Sequence, residues 1–273
     1  MIVCGHSNVA AVDGEWRVKI DERVGKALDL FPGQTLFGVS AEGSRRLFLS
    51  SLMLNPHVSY FRVFMEDVRG SLATITRLFS DKGINILSGG AFGFGNIWVS
   101  EYIADFKDVD VTPEKIAAEM EGLGGFVTIR EITELFPRAF ELNTVYEIGE
   151  DGEGDMYLRL QGQPEGMAGG RAEQAVLKAW PNVQALFVDF HSADSKLLRI
   201  TAKIGDVPGS LFTLSETIGI QVNMHAISEQ HHDEASGAWT MYGTLEIGSL
   251  KELEEKLAGL SAVLGVEVEP LGW

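Results

Sequence analysis

Two six-residue stretches in this sequence combine residue types that could hold a small zwitterion. Residues 67–72 read Asp-Val-Arg-Gly-Ser-Leu and residues 206–211 read Asp-Val-Pro-Gly-Ser-Leu, the same at five of six positions. Each follows an alternating apolar run and precedes apolar residues at helical spacing, so each marks a strand turning directly into a helix. The first N–H groups of a helix have no intrahelical partner, and its dipole favours negative charge there. A small carboxylate could settle on those amides, glycine would let it approach the backbone, and the neighbouring aspartate could accept from an ammonium group. The competing reading is purely local: Asp67 and Asp206, or Ser71 and Ser210, serve the helix starts themselves.

The other clusters each lack a part of the chemistry they suggest. His225, His231, His232, Asp233 and Glu234 are of metal-ligating types. However, His231–Gly237 falls where a hairpin loop is expected, and adjacent strand residues face opposite ways, so no metal site is expected. The glycine-rich stretch Ser88–Gly95 lacks the lysine of a phosphate-binding loop and has no helix after it; it reads as a hairpin tip. No nucleophile elbow, His-Glu-x-x-His pair or kinase signature occurs, and Cys4, the one cysteine, stands in no motif. Neither a catalytic set nor a cofactor is expected, and the chain reads as a binding protein rather than an enzyme.

Composition narrows the class further. The 273 residues, 45% hydrophobic and 22% charged, suffice for two or three folded cores. No run nears the roughly 18 apolar residues of a membrane helix, and residues 1–8 show no secretory leader. A single cysteine excludes an intrachain disulfide and fits a reducing, cytoplasmic location. The net charge of −17 is uneven: six basic and six acidic residues balance in 1–58, and the whole acidic surplus lies beyond. Most of the chain would repel a phosphate backbone, so general nucleic-acid binding is not expected.

The elements around the two hexapeptides repeat as well. Phe61, Val63 and Met65 form the strand before the first, and Leu198, Ile200 and Ile204 the strand before the second. Leu72, Ile75, Leu78 and Phe79 then recur at helical spacing, as do Leu211, Leu214 and Ile218. Gly83-Ile84-Asn85-Ile86 and Gly219-Ile220-Gln221-Val222 end each helix and enter a second strand. A third strand, a second helix (from Thr112-Pro113-Glu114, and around Leu250–Leu260) and a last strand (Phe126–Ile132, Val266–Val268) complete each unit. The order is βαββαβ twice, over 59–135 and 197–273, giving an α+β fold of two ferredoxin-like units.

The strand–Asp-x-x-Gly–helix–Gly-Ile order, duplicated, resembles the opening of ACT domains, and the resemblance covers just over half of the chain. It implies binding of an amino acid, often between paired domains. In the first unit it implicates Asp67, Gly70 and Asn85. In the second it implicates Asp206 and Gly209, with Gln221 or Asn223 in the asparagine role. Gly70 to Gly83 spans 13 positions and Gly209 to Gly219 only 10, which predicts that the first helix of the second unit is about one turn shorter.

Residues 1–58 read as a small β-rich segment: a strand at Val18–Ile20, a short helix after Asp21, the turn Phe31-Pro32-Gly33-Gln34, and a hairpin about Ala41–Ser44. This is similar to the AbrB/MazE-like swapped-hairpin fold, which implies an intertwined homodimer and, through Arg17, Lys19, Arg23, Lys26, Arg45 and Arg46, a possible contact with DNA. A plain structural cap on the first ACT-like unit is the alternative. Residues 136–196 read as linker over 141–170, with a strand at Met156–Leu160, a helix at Arg171–Ala179 and a strand at Ala185–Phe190. The expected function is a ligand-binding regulator that self-associates through residues 1–58; the alternative is a ligand-responsive, DNA-binding transcriptional regulator.

Overall fold

The computed structural model describes residues 2–40, 45–52, 57–131, 141–160, 172–232 and 235–271. They form a mixed α and β chain of mostly antiparallel sheets. The chain begins with β1 (Val3–Val12), β2 (Glu15–Lys19), α1 (Glu22–Ala27), β3 (Thr35–Ser40) and β4 (Arg46–Ser50). Next come β5 (Val58–Glu66), α2 (Ser71–Asp81), β6 (Asn85–Phe94), β7 (Ile97–Asp105), α3 (Pro113–Gly122) and β8 (Phe126–Glu131). Then follow β9 (Glu141–Glu150), β10 (Met156–Leu160), β11 (Ala172–Trp180) and β12 (Ala185–Ser192). The last six elements are β13 (Leu197–Gly205), α4 (Ser210–Gly219), β14 (Val222–His232), β15 (Ser236–Leu245), α5 (Leu250–Ala258) and β16 (Val263–Pro270). Two compact units result, Met1–Ser51 with Thr144–Trp273, and Leu52–Asn143.

The first and third groups of strands close into one barrel in the order β1-β11-β12-β4-β3-β9-β10-β2. Alternate residues turn inward, and Val18, Leu49, Ile148, Leu158, Leu177 and Val188 fill the interior, as small barrels require. Helix α1 plugs this core with Val24 and Leu28. It starts there because the Asp21 carboxylate accepts from the N–H groups of Arg23 and Val24 at 3.0 and 3.4 Å. The strand order reads the same when β1–β4 are exchanged with β9–β12: the β3–β4 hairpin sits between β9 and β12, and the β11–β12 hairpin between β4 and β1. The hairpin exchange that resemblance placed between two copies therefore occurs within one chain.

Several local expectations change with that closure. Glu141–Glu150 is a strand rather than linker: it forms a local hairpin with β10, and its other edge pairs with β3, far away in sequence. Residues 172–180 are strand rather than helix: Ala175, Leu177 and Ala179 face the barrel core, and β1 and β12 flank them on both edges. Ser88–Phe94 lies inside β6 instead of at a hairpin tip. A Cβ at Gly89 would stand 2.9 Å from the Glu101 carbonyl oxygen, so this glycine answers to close packing in the sheet. The hairpin tip proposed at Ala41–Ser44 and part of the 141–170 stretch, from 161 on, lie outside the described residues.

The two repeats share their connectivity. Their four-stranded antiparallel sheets have the orders β6-β7-β5-β8 and β14-β15-β13-β16, with the hexapeptide strand inside each. Ile75, Phe79, Ile116 and Met120 from α2 and α3 pack on Phe61 and Val63 of β5. Leu214, Ile218, Leu253 and Leu257 from α4 and α5 pack on Leu198, Ile200 and Ala202 of β13. Helix α2 has 11 residues and α4 has 10, so the expected loss of a turn is absent. Helix α4 continues through Gly219, whereas α2 stops short of Gly83, which adopts a φ of 71°. Among the described residues no helix is long and apolar enough to cross a membrane.

Leu158 is fully buried in the barrel, so Leu158→Ala should lower the stability of the full chain by about 2–5 kcal/mol. Urea denaturation followed by circular dichroism checks this; a loss below about 1 kcal/mol would mean that the barrel interior is not packed as described.

Candidate functional site

Both hexapeptides fold into the same turn. At the end of β5 the Asp67 N–H donates to the Asn96 carbonyl at 2.8 Å, pinning the turn to the β6–β7 hairpin. At the end of β13 the Asp206 N–H donates to Ala235 at 2.9 Å in the same way. The Ser71 and Ser210 N–H groups close tight turns onto the carbonyls of Val68 and Val207, each at 3.1 Å. Ser71 Oγ also donates to the carbonyls of Glu66 and Val68 at 2.9 and 2.8 Å. Gly70 and Gly209 then open α2 and α4 at φ 95° and 91°. A Cβ at either glycine would meet nothing within 4 Å, so the requirement for glycine is conformational.

The local capping alternative can be judged from these helix starts. No side chain makes a capping hydrogen bond at α2 or α4. Elsewhere Asp21, Thr112 and Ser249 do cap α1, α3 and α5. Asp67 instead turns its carboxylate over β6, where Oδ2 lies 2.7 Å from the position a Gly93 Cβ would take. Asp67, Gly70, Asp206 and Gly209 are all exposed, beside Val68 and Val207 at 53% and 61% exposure. In each repeat an exposed aspartate thus stands at the lip of a helix N-terminus that no side chain caps.

The asparagine positions fall elsewhere. Asn85 opens β6 opposite Asp105, while Asn96, which holds Asp67, lies beyond the other end of that strand. Asn223 likewise pairs with Thr244, far from Ala235, which holds Asp206. At 3.4 Å per residue the separation along each strand is on the order of 30 Å. Within one repeat, therefore, Asp67 and Gly70 come together without Asn85, and Asp206 and Gly209 without Asn223. Gln221 is buried, donates to the Ile247 carbonyl at 3.1 Å and accepts from Lys256 at 3.1 Å, a structural tie between β14, the turn after β15 and α5.

A second polar cluster has no local signal in the sequence. The face of the β13–β16 sheet away from its helices docks on the outer surface of the barrel, where Leu197, Ala226 and Tyr242 meet Cys4 and Val176. Arg23 of α1 donates to Tyr242 Oη at 3.4 Å across this seam. His191 of β12 and His225 of β14 place their ring centroids 4.6 Å apart, and His225 Nε2 pairs with Thr244 Oγ1 at 2.7 Å. Asp189 beside them is 5% exposed and is held by Lys178 at 2.6 Å and Arg46 at 3.6 Å. Burial lowers His6, His191 and His225 and raises the Cys4 thiol from their ordinary values. These residues come from distant segments, so no spacing signals them. Among the described residues no group of three or more His, Cys, Asp or Glu could hold a metal. Of the histidine cluster read from the sequence, Asp233 and Glu234 lie outside the described residues.

No known protein family matches the sequence, and no curated protein does. Among solved structures, a protein assigned as a glycine cleavage system transcriptional repressor is similar at 11% identity and a TM-score of 0.30, covering 78% of this chain and 96% of its own. A protein from Galdieria sulphuraria is similar at 10% identity and a TM-score of 0.32, covering 79% and 98%. The prephenate dehydratase of Staphylococcus aureus is similar at 12% identity and a TM-score of 0.26, covering 93% and 80%. Likeness at this level carries no functional argument, which rests on the geometry above.

Positive φ at the two helix starts gives a direct test. Gly70→Ala and Gly209→Ala should each cost about 1–2 kcal/mol, while Gly90→Ala, which lies in extended strand with open space around it, should stay within about 0.5 kcal/mol of the parent. Equal stabilities of all three in urea denaturation would contradict the turn geometry.

Proposed function

We propose that this chain is a regulatory protein that binds a small ligand, an amino acid, at two ACT-type units of ferredoxin-like arrangement. The observation that carries the reading is the repeated helix start: a left-handed glycine, no side-chain cap, and an exposed aspartate at the lip. With the Ser71 and Ser210 N–H groups closing the turns, the next amides of each helix favour a carboxylate, and the aspartate favours an ammonium, so an amino acid presents both groups such a place accepts. Asp67 with Gly70 forms one site in this reading and Asp206 with Gly209 the other; Asn85 and Asn223 stand outside both. The chain acts by binding, with no catalytic step assigned to it. Regulation follows if the ligand favours one arrangement of the chain over another.

The charge pairing of the barrel supports this reading over DNA binding. Arg17 pairs with Glu15 at 3.1 Å, Arg23 with Asp21 at 3.4 Å, Lys26 with Glu22 at 2.6 Å and Arg46 with Asp189 at 3.6 Å; Lys19 pairs with Asp155. Five of the six basic residues offered to a phosphate backbone thus have acidic partners. The described strands of residues 1–58 expected to exchange between copies pair inside the chain.

Thermal unfolding of the full chain with each of the twenty amino acids at millimolar concentration tests the reading. A ligand at about a hundred times its dissociation constant adds roughly 2.7 kcal/mol of stability. The expected result is an upward shift with a small subset of amino acids, reduced in Asp67→Ala, in Asp206→Ala, or in both. No shift with any amino acid, or a shift that both variants retain in full, would overturn it.

A further inference from the structure

The seam between the barrel and the second repeat contains two imidazoles in contact and an acid that is already matched by bases. His191 is 7% exposed, and its Nε2 is buried without a hydrogen-bond partner. Facing it from the second repeat is His225, whose own Nε2 is engaged by Thr244. Around the pair stand Asp189 on β12, Lys178 on β11, Arg45 and Arg46 at the start of β4, and Glu246 after β15. Asp189 is the acid best placed to receive an imidazolium, but Lys178 and Arg46 already hold its oxygens. A proton added to His191 would therefore stand in a buried site beside a second imidazole and three bases, with Asp189 already engaged and Glu246, on the exposed surface, the other acid near the pair.

We propose that the His191–His225 contact makes the docking of the second repeat on the barrel acid-sensitive, so that a proton acts as a regulatory ligand of this chain. The proposal is independent of the amino-acid sites. Burial first, and then the neighbouring His225, lower His191 from 6.5 to about 4 in the docked state. Above about pH 6.5 the docked and undocked states are both neutral, and docking is at full strength. As pH falls from 6.5 toward 4, the undocked state takes up a proton that the docked state refuses, and docking weakens over that window. From His191 alone the expected weakening is about thirty-fold at pH 5. His225, lowered by burial as well, adds in the same direction.

The only cysteine reports the seam directly. Cys4 is fully buried there among Val176, Leu197, Ala226 and Tyr242, so its reaction with a thiol reagent follows undocking. The experiment measures the labelling rate of Cys4 in the full chain by 4,4′-dithiodipyridine, which reacts in acid, from pH 7.5 to 4.5. Each rate is divided by the rate in guanidinium at the same pH, which removes the intrinsic dependence of the thiol. The expected protection falls at least ten-fold between pH 7 and 5, while far-ultraviolet circular dichroism stays unchanged. The double variant His191→Asn, His225→Gln should lose most of that dependence, the remainder coming from His6, which burial also lowers.

Flat protection in the parent, or an undiminished fall in the double variant, would overturn the proposal. Should the double variant be unprotected at every pH, the titration of the parent His191 ring proton by NMR decides. A midpoint well below 6 that coincides with Cys4 exposure supports the proposal, and a midpoint near 6.5 overturns it.

Discussion

Closure of the barrel is the constraint on which the rest of the structure depends. Strands β1 and β4 have unpaired edges until β11 and β12 arrive, and those strands come more than a hundred residues later. An open edge is a template for pairing with another chain, so β1 and β4 are secure only when β11 and β12 have folded onto them. Such distant pairing is slow compared with local structure. It is compatible with the intervening Leu52–Asn143 because that segment forms a compact unit with its own core of Phe61, Ile75, Phe79 and Ile116.

The closed barrel also gives the second repeat a surface to dock on. A four-stranded sheet with helices on one face leaves the other face to be covered or solvated. In the second repeat that face carries Leu197 and Tyr242, which the barrel buries with Cys4 and Val176. In the first repeat the corresponding strands place Phe92, Val99, Phe64 and Phe126 in one row across the sheet, with Phe92 and Phe126 at 60% and 64% exposure. The duplicated sequence has thus diverged in the use of one sheet face while keeping the Asp-x-x-Gly turn at the strand end.

The repeats were legible because their signals are local. Alternation in Phe61–Met65, the helical spacing of Ile75 and Phe79, and the duplicated hexapeptide each act within a few residues. The Thr112-Pro113 helix start was legible for the same reason and is observed as a cap. The barrel was not, because its strands are stabilised by partners distant in sequence. Residues 172–180, Ala-Glu-Gln-Ala-Val-Leu-Lys-Ala-Trp, are mostly helix formers that the sheet overrides, although Ala175, Leu177 and Ala179 carry the alternation of a strand. In the candidate sites, Asp67, Gly70, Asp206 and Gly209 could be found from one motif. The seam could not, since Cys4, Arg23, Asp189, His191, His225 and Tyr242 meet only after the barrel has closed.

The central claim, that the two helix starts receive a small zwitterion, is tested most directly by amide hydrogen exchange. Exchange would be followed across the full chain at neutral pH, with and without a mixture of the twenty amino acids at millimolar concentration. Slower exchange is expected at residues 66–73 and 205–212, the turns whose amides would bind the ligand carboxylate. Unchanged exchange at both turns, or slowing confined to the seam strands β11 and β14, would contradict it.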